Sequence, residues 1–276
     1  MTNQENPILQ VNSIYKDFIS RGLTRKGASV FHALQNVSFE LAGKQTYALV
    51  GESGSGKSTT GRIICALEKP TTGSIVFEGN NYTDYSPSLL RERIRGNIQM
   101  VFQDPFSALN PCKAVGNAIV EALEIQKIGD SRSDRLDMAV DMIERVGLSS
   151  KQIDRFPHQF SGGQLQRVNI ARALVVRPKI LILDESVSAL DVSVQAQVLN
   201  LLQDLKEEFS LSYLFITHDL SVVRFIADRI GVLRKGELVE EGTVEQIFGN
   251  PRTDYTRNLL GSIPLPDPRR HQLMAA

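Results

Sequence analysis

Apolar and polar positions alternate through ILQVNSIYKDF (8–18), the two-residue period of a half-buried strand. The next stretch, SRGLTRKGAS (20–29), is polar, basic and glycine-containing, which predicts an exposed loop. HALQNVSFELAGKQTYALVG (32–51) predicts two strands parted by a turn at 42–44, and its TYALV run is apolar enough for a buried sheet. After Gly56 the spacing turns helical through KSTTGRIICALEK, then PTTGSIVFEG returns to turn and strand.

A different pattern begins near residue 112. AVGNAIVEALEIQK and SDRLDMAVDMIERVGL place apolar residues at i, i+3, i+4 and i+7, so 112 to about 156 predicts a helical insert. The strand-like runs IRGNIQMVFQDP and PKILILDE flank it, and both are expected in one sheet. LSYLFITHD (211–219) predicts another buried strand, LSVVRFIADR a helix, and RIGVLRKGELVEEG a hairpin turning at Lys235 and Gly236. The chain therefore leaves a parallel α/β core, builds a helical lobe and returns. The tail from Pro251 is rich in proline, arginine and aspartate, and IPLPDPRRHQ predicts no regular structure.

At 276 residues the chain can bury a sizeable core. Basic and acidic residues balance at 31 each, which removes the global charge bias that favours nucleic acid or acidic lipid, so no nucleic-acid partner is expected. The two cysteines, Cys65 and Cys112, form neither a CxxC pair nor a disulfide framework and read as reduced thiols. MTNQENPILQ lacks the pattern of a signal peptide. No apolar run approaches the roughly 20 residues that span a bilayer, so a membrane role is expected to run through a partner.

Candidate chemistry begins with GESGSGKST (51–59), which fits GxxxxGK[ST] between a buried strand and a helix. Its glycines let backbone N–H groups wrap phosphate oxygens, Lys57 neutralises outer phosphates, and the Ser58 hydroxyl suits Mg²⁺. Predicted binding residues are thus Gly51, Glu52, Ser53, Gly54, Ser55, Gly56, Lys57, Ser58 and Thr59. ILILDE (180–185) ends an apolar strand in two carboxylates; Asp184 suits Mg²⁺ through water, and Glu185 the polarising of an attacking water. Gln103 reads equally as an edge-of-sheet polar residue, and His218 as a neutral helix-capping imidazole. FSGGQLQR (160–167) puts serine and two glycines before a predicted helix, the chemistry of a second anion site.

Taken in order, GESGSGKST, Gln103, FSGGQ, ILILDE, SALD (188–191) and His218 resemble the nucleotide-binding subunit of ATP-binding cassette (ABC) transporters. VFQDPFSALNP, SALDVSVQAQVLNLL, THDLSVV and NPRTDYTRNLLGSIPLPDP are similar to ATPase subunits of dipeptide and oligopeptide importers. The resemblance implies an α/β P-loop NTPase (RecA-like) core with an antiparallel β subdomain and an inserted helical subdomain at about 104–165. It divides the chain into an ATP-binding domain (1–250) and a C-terminal extension (251–276).

Carried over residue by residue, it implies that Gln103 contacts Mg²⁺ or water and senses membrane subunits, and that His218 bonds the γ-phosphate and orients Glu185. Ser161, Gly162, Gly163 and Gln164 match the signature loop and, with Asp191 of the D-loop, reach the partner's ATP. Phe18, or alternatively Tyr15, would stack on adenine. The implied assembly is two ATPase subunits, a second copy or a paralogue, with two membrane-spanning permease subunits and an extracytoplasmic substrate-binding protein, peripheral on the cytoplasmic face of the inner membrane. The resemblance implies ATP and Mg²⁺; Ser186 stands where proline is usual in the family, and the tail has no cysteine, so no iron–sulfur cluster is expected. Alternative readings are import of nickel, an opine, glutathione or a sugar, an exporter ATPase, a soluble ABC ATPase of DNA repair or translation, and a non-catalytic nucleotide-binding module.

Overall fold

The computed structural model describes residues 7–20 and 29–262. Most of the expected 20–29 loop and the IPLPDPRRHQ stretch lie outside the described residues. In chain order the elements are β1 (Leu9–Ser20), β2 (Ser29–Leu41), β3 (Thr46–Val50), α1 (Lys57–Ile64), β4 (Thr72–Phe77), β5 (Asn80–Asn81), α2 (Pro87–Arg93) and β6 (Ile98–Val101). Three α-helices follow, α3 (Val115–Gln126), α4 (Arg132–Arg145) and α5 (Gly162–Leu174), with short 3-10 turns at Ser150–Gln152 and Pro157–Gln159 between the last two. The chain then runs through β7 (Ile180–Asp184), α6 (Val192–Phe209), β8 (Ser212–Thr217), α7 (Leu220–Ile226), β9 (Arg229–Arg234), β10 (Glu237–Thr243), α8 (Val244–Gly249) and α9 (Asp254–Gly261).

Six strands form one sheet in the order β10-β9-β3-β8-β7-β6, parallel except for β10. TYALV, ILILD and SYLFIT are buried at every position, as strands covered on both faces require. The two-residue period divides β3 between two cores: Tyr47 and Leu49 pack with Ile63 and Ile64 of α1, while Ala48 and Val50 pack with Val223 and Ile247.

A second, antiparallel sheet, β2-β1-β4-β5, lays Leu9, Val11, Phe39 and Ile75 on the first of these cores. The helices between β6 and β7 share a third core, in which Ile119, Leu123, Met142 and Ile143 join Leu165 and Val168 of α5. The predicted hairpin is present, with positive φ at Lys235 (49°) and Gly236 (85°), the pairing that a right-twisted two-residue turn needs. Beyond Pro251 the tail is not wholly irregular, because Thr253 caps α9 by accepting from the Thr256 N–H at 3.1 Å. Cys65 is buried, and burial pushes its thiol up to about 12, while Cys112 is exposed.

Candidate active site

Sheet order assembles the site. β3, β8, β7 and β6 are neighbours with parallel registers, Val50 beside Thr217, Asp184 beside Ile216 and Val101 beside Leu183. The segments carrying Gly51, His218, Glu185 and Gln103 therefore leave the sheet along one carboxyl edge, where open α/β sheets bind ligands.

The loop 51–56 is tightly fitted. A side chain at Gly51 would place its Cβ 2.1 Å from the Leu233 carbonyl oxygen, so only glycine passes there. Lys57, 4% exposed, donates from Nζ to the carbonyls of Gly51 and Glu52, both at 2.8 Å. Burial lowers its ammonium from the usual lysine value, and Glu185, Asp184 and Glu52 partly oppose that. The Ser58 hydroxyl donates to Asp184 Oδ1 at 2.8 Å. Burial raises the Asp184 carboxyl, with the Ser58 hydrogen bond and the cations Arg62 and Lys57 acting the other way and Glu185 adding to the rise.

Glu185 stands between two partners. Gln103 Nε2 donates to its Oε2 at 3.0 Å, and His218 Nδ1 lies 3.2 Å from its Oε1. Glu185, Gln103, Lys57, Ser58 and Thr59 share a cavity of about 290 Å³ with Ser53, Gly54 and Gly56. The structure thus brings together the predicted phosphate loop, Gln103, Asp184, Glu185 and His218. Ser186 is 3% exposed, and its hydroxyl has no hydrogen-bond partner among the described residues.

Among the described residues, the aromatic that lines that cavity is Phe31, and Phe18 and Tyr15 do not line it. Phe31 is directly opposite Phe18 across the β1–β2 pair and is 62% exposed, so the two rings belong to one cross-strand unit. Phe31 is not among the residues the sequence singles out, because pairing register is set across the hairpin; its one signal is an aromatic on the second strand of a predicted pair.

FSGGQ is built differently. Ser161 caps α5, its hydroxyl accepting from the Gln164 N–H at 3.3 Å while Gln164 Oε1 accepts from the Ser161 N–H at 3.1 Å. Ser161 and Asp191 are both exposed at helix starts. A Cβ on Gly163 would lie 2.3 Å from Val194 Cγ1, so the signature turn and α6 are in close contact within one chain.

The sequence model of the ABC transporter family matches residues 34–188. The oligopeptide transport ATP-binding protein AppF of Bacillus subtilis is 47% identical over 264 residues, 95% of this chain and 80% of that protein. The dipeptide transport ATP-binding protein DppF of Escherichia coli is 46% identical over 272 residues, 98% of this chain and 80% of that protein. Among solved structures, the dimeric post-hydrolysis ATP-binding cassette MJ0796 bound to ADP and Pi superposes with a TM-score of 0.75, at 31% identity over 86% of this chain and 98% of that one. CbiO1 of Clostridium perfringens, part of an ABC transporter complex, gives a TM-score of 0.76 at 26% identity over 99% of this chain and 100% of that one. The matching family model, the shared architecture and these relatives make the chain an ATP-binding, ATP-hydrolysing member of the ABC transporter family.

Proposed function

We propose that this chain is the ATPase subunit of an importer of di- or oligopeptides. It would work in a head-to-tail pair of ATPase subunits, on the cytoplasmic face of the inner membrane, coupled to two permease subunits and an extracytoplasmic binding protein. The observation that carries the chemistry is the Glu185 carboxylate between Gln103 and His218 at the mouth of the Lys57–Ser58 cavity. The cargo rests on similarity to peptide-transport ATPases over nearly the whole chain.

On this reading the triphosphate draws Lys57 from the carbonyls of Gly51 and Glu52 and adds its negative charge to that of Glu185, Asp184 and Glu52 around the buried ammonium. The 51–59 backbone holds the β- and γ-phosphates, and the base lies on the Phe31–Phe18 unit. Glu185 accepts the proton of the attacking water, which Gln103 and His218 help to orient. Ser161, Gly163 and the start of α5 complete the γ-phosphate cage of the partner's ATP, with Asp191 beside them. Positioning and electrostatics supply most of the rate.

A Mg²⁺ ion would be held by the Ser58 hydroxyl, by Gln103 and, through water, by Asp184. The short Ser58–Asp184 hydrogen bond fits that set, because hydroxyl and carboxylate already converge. Mg²⁺ keeps several waters and needs few protein ligands when phosphates supply the rest, and bound here it would neutralise phosphate charge. We assign 104–165 as the helical subdomain and 251–276 as the extension. The groove lined by Phe102, Asn110, Lys113, Ala118 and Ala122, beside Gln103 and between the lobes, is the surface we assign to a permease.

The test is uptake of a labelled di- or tripeptide in cells whose own copy carries Glu185→Gln. Uptake is expected to stop. Continued peptide uptake with loss of glutathione, nickel, opine or sugar uptake would reassign the cargo, and unchanged uptake of all of them would reject the importer.

A further inference from the structure

Helix α9 lies on the opposite sheet face from α1, where Tyr255, Leu259 and Leu260 pack on the Ala48, Val50, Val223 and Ile247 core. Its start is fastened by Glu240, 8% exposed, one oxygen accepting from the Arg252 N–H at 2.7 Å. The other accepts from the N–H and hydroxyl of Thr253, both at 3.0 Å. From that start the Tyr255 hydroxyl accepts from the Glu52 N–H at 3.2 Å, with the Arg234 guanidinium over its ring at 4.8 Å.

That N–H belongs to the peptide group joining Gly51 to Glu52. The carbonyl of the same group accepts from Lys57 Nζ at 2.8 Å. One peptide plane at the base of the loop is thus held at both ends, by a lysine on its oxygen and a tyrosine on its nitrogen. A triphosphate that draws Lys57 away leaves the tyrosine as the remaining side-chain restraint on that plane. An untethered loop pays more conformational entropy to close around phosphates.

We propose that Tyr255 is a positioning residue that braces the phosphate loop, so that the C-terminal helix sets nucleotide affinity. The inference rests on the reading of 51–59 as the nucleotide loop. It assigns to α9 a role in ATP binding that is separate from any contact with a permease.

The test uses the full chain with Mg-ATP as the probe. Tyr255→Phe keeps the ring over Arg234 and removes the acceptor. One neutral hydrogen bond corresponds to roughly a two- to tenfold change, so the Kd and the KM for ATP should rise by about that factor while kcat changes less than about twofold. The Glu52 amide should exchange faster with solvent, and the rise in KM at nearly constant kcat is what a purely structural role for Tyr255 would not produce. Glu240→Ala should reproduce the affinity loss, and the double variant should add little to it. Unchanged Kd and KM in Tyr255→Phe overturn the brace. A Lys57→Ala control separates the two readings: if it abolishes binding while Tyr255→Phe binds normally, the brace alone fails; if Lys57→Ala also binds normally, the nucleotide loop itself is misassigned.

Discussion

Glu185 occupies the left-handed region, with φ at 46°, a conformation that costs a non-glycine residue roughly 1–2 kcal/mol. Hydrogen bonds hold it there. Its N–H donates to the Ile216 carbonyl at 2.8 Å, and its own carbonyl accepts from the Ser188 N–H at 3.2 Å and hydroxyl at 2.8 Å. The turn aims the carboxylate at Gln103 and His218 instead of continuing the β7 strand. Glu185→Gln preserves shape and hydrogen bonding but not basicity, so ATP binding should persist while steady-state turnover falls by about two orders of magnitude or more. Near-normal turnover would remove Glu185 from the role of base. These site residues were legible individually, as a glycine-rich loop and a strand ending in two acids, but Gln103 and His218 were ambiguous on their own and took roles only from the family resemblance, and sheet order places them on either side of Glu185.

The elements divide by how much apolar pattern they carry. TYALV, ILILD and SYLFIT announce themselves because every position is buried, and α3 and α4 because their periodicity runs for 12 and 14 residues. Helices α2 and α8 span 7 and 6 residues, too short for a period to show, and their signal lies in their caps. Ser86 before Pro87 marks α2, and Thr243 with Gln246 marks α8. The Phe31–Phe18 pairing was hidden for another reason, since register depends on contacts across a hairpin and not on composition.

Two predictions belong to the elements. Ser161→Arg puts a bulky cation at the exposed start of α5; binding of ATP by the isolated chain should be spared while hydrolysis in the assembled ATPase pair falls by about 100-fold at the site this serine completes. Normal hydrolysis there would reject the signature assignment. The second concerns the anchor of α9. Burial alone would raise the Glu240 carboxyl, but donors from Arg252, Thr256 and Thr253 outweigh it and hold it below the usual glutamate value. A folded pKa below the unfolded one gives stability that is complete above the ordinary value and lost as pH falls through the lowered one. The stability gap between wild type and Glu240→Gln, read from denaturant midpoints, should therefore be widest at neutral pH and close in acid; a gap that widens in acid contradicts the anchor.

At the scale of the whole molecule, the residues we assign to phosphate do not all line one cavity. Ser161 and Gln164 hydrogen-bond each other at the head of α5, whereas Lys57, Ser58, Gln103 and Glu185 share one cavity. The balanced charge, 31 basic against 31 acidic residues, gives the chain no net positive charge with which to attract a polyanion. No helix among the described residues is long and apolar enough to cross a membrane. If each ATP is caged by two chains, a lone chain holds half a catalytic site.

The most direct test measures ATP bound and ATP hydrolysed in the same sample while the concentration of the partner ATPase subunit, a second copy or a paralogue, is raised. Binding per chain should be nearly independent of partner concentration. Turnover per bound ATP should start low and climb as pairs form, and the Ser161→Arg chain should fail to support the climb at its partner's site. Turnover per bound ATP that is high at the lowest concentration and flat thereafter would contradict the shared site.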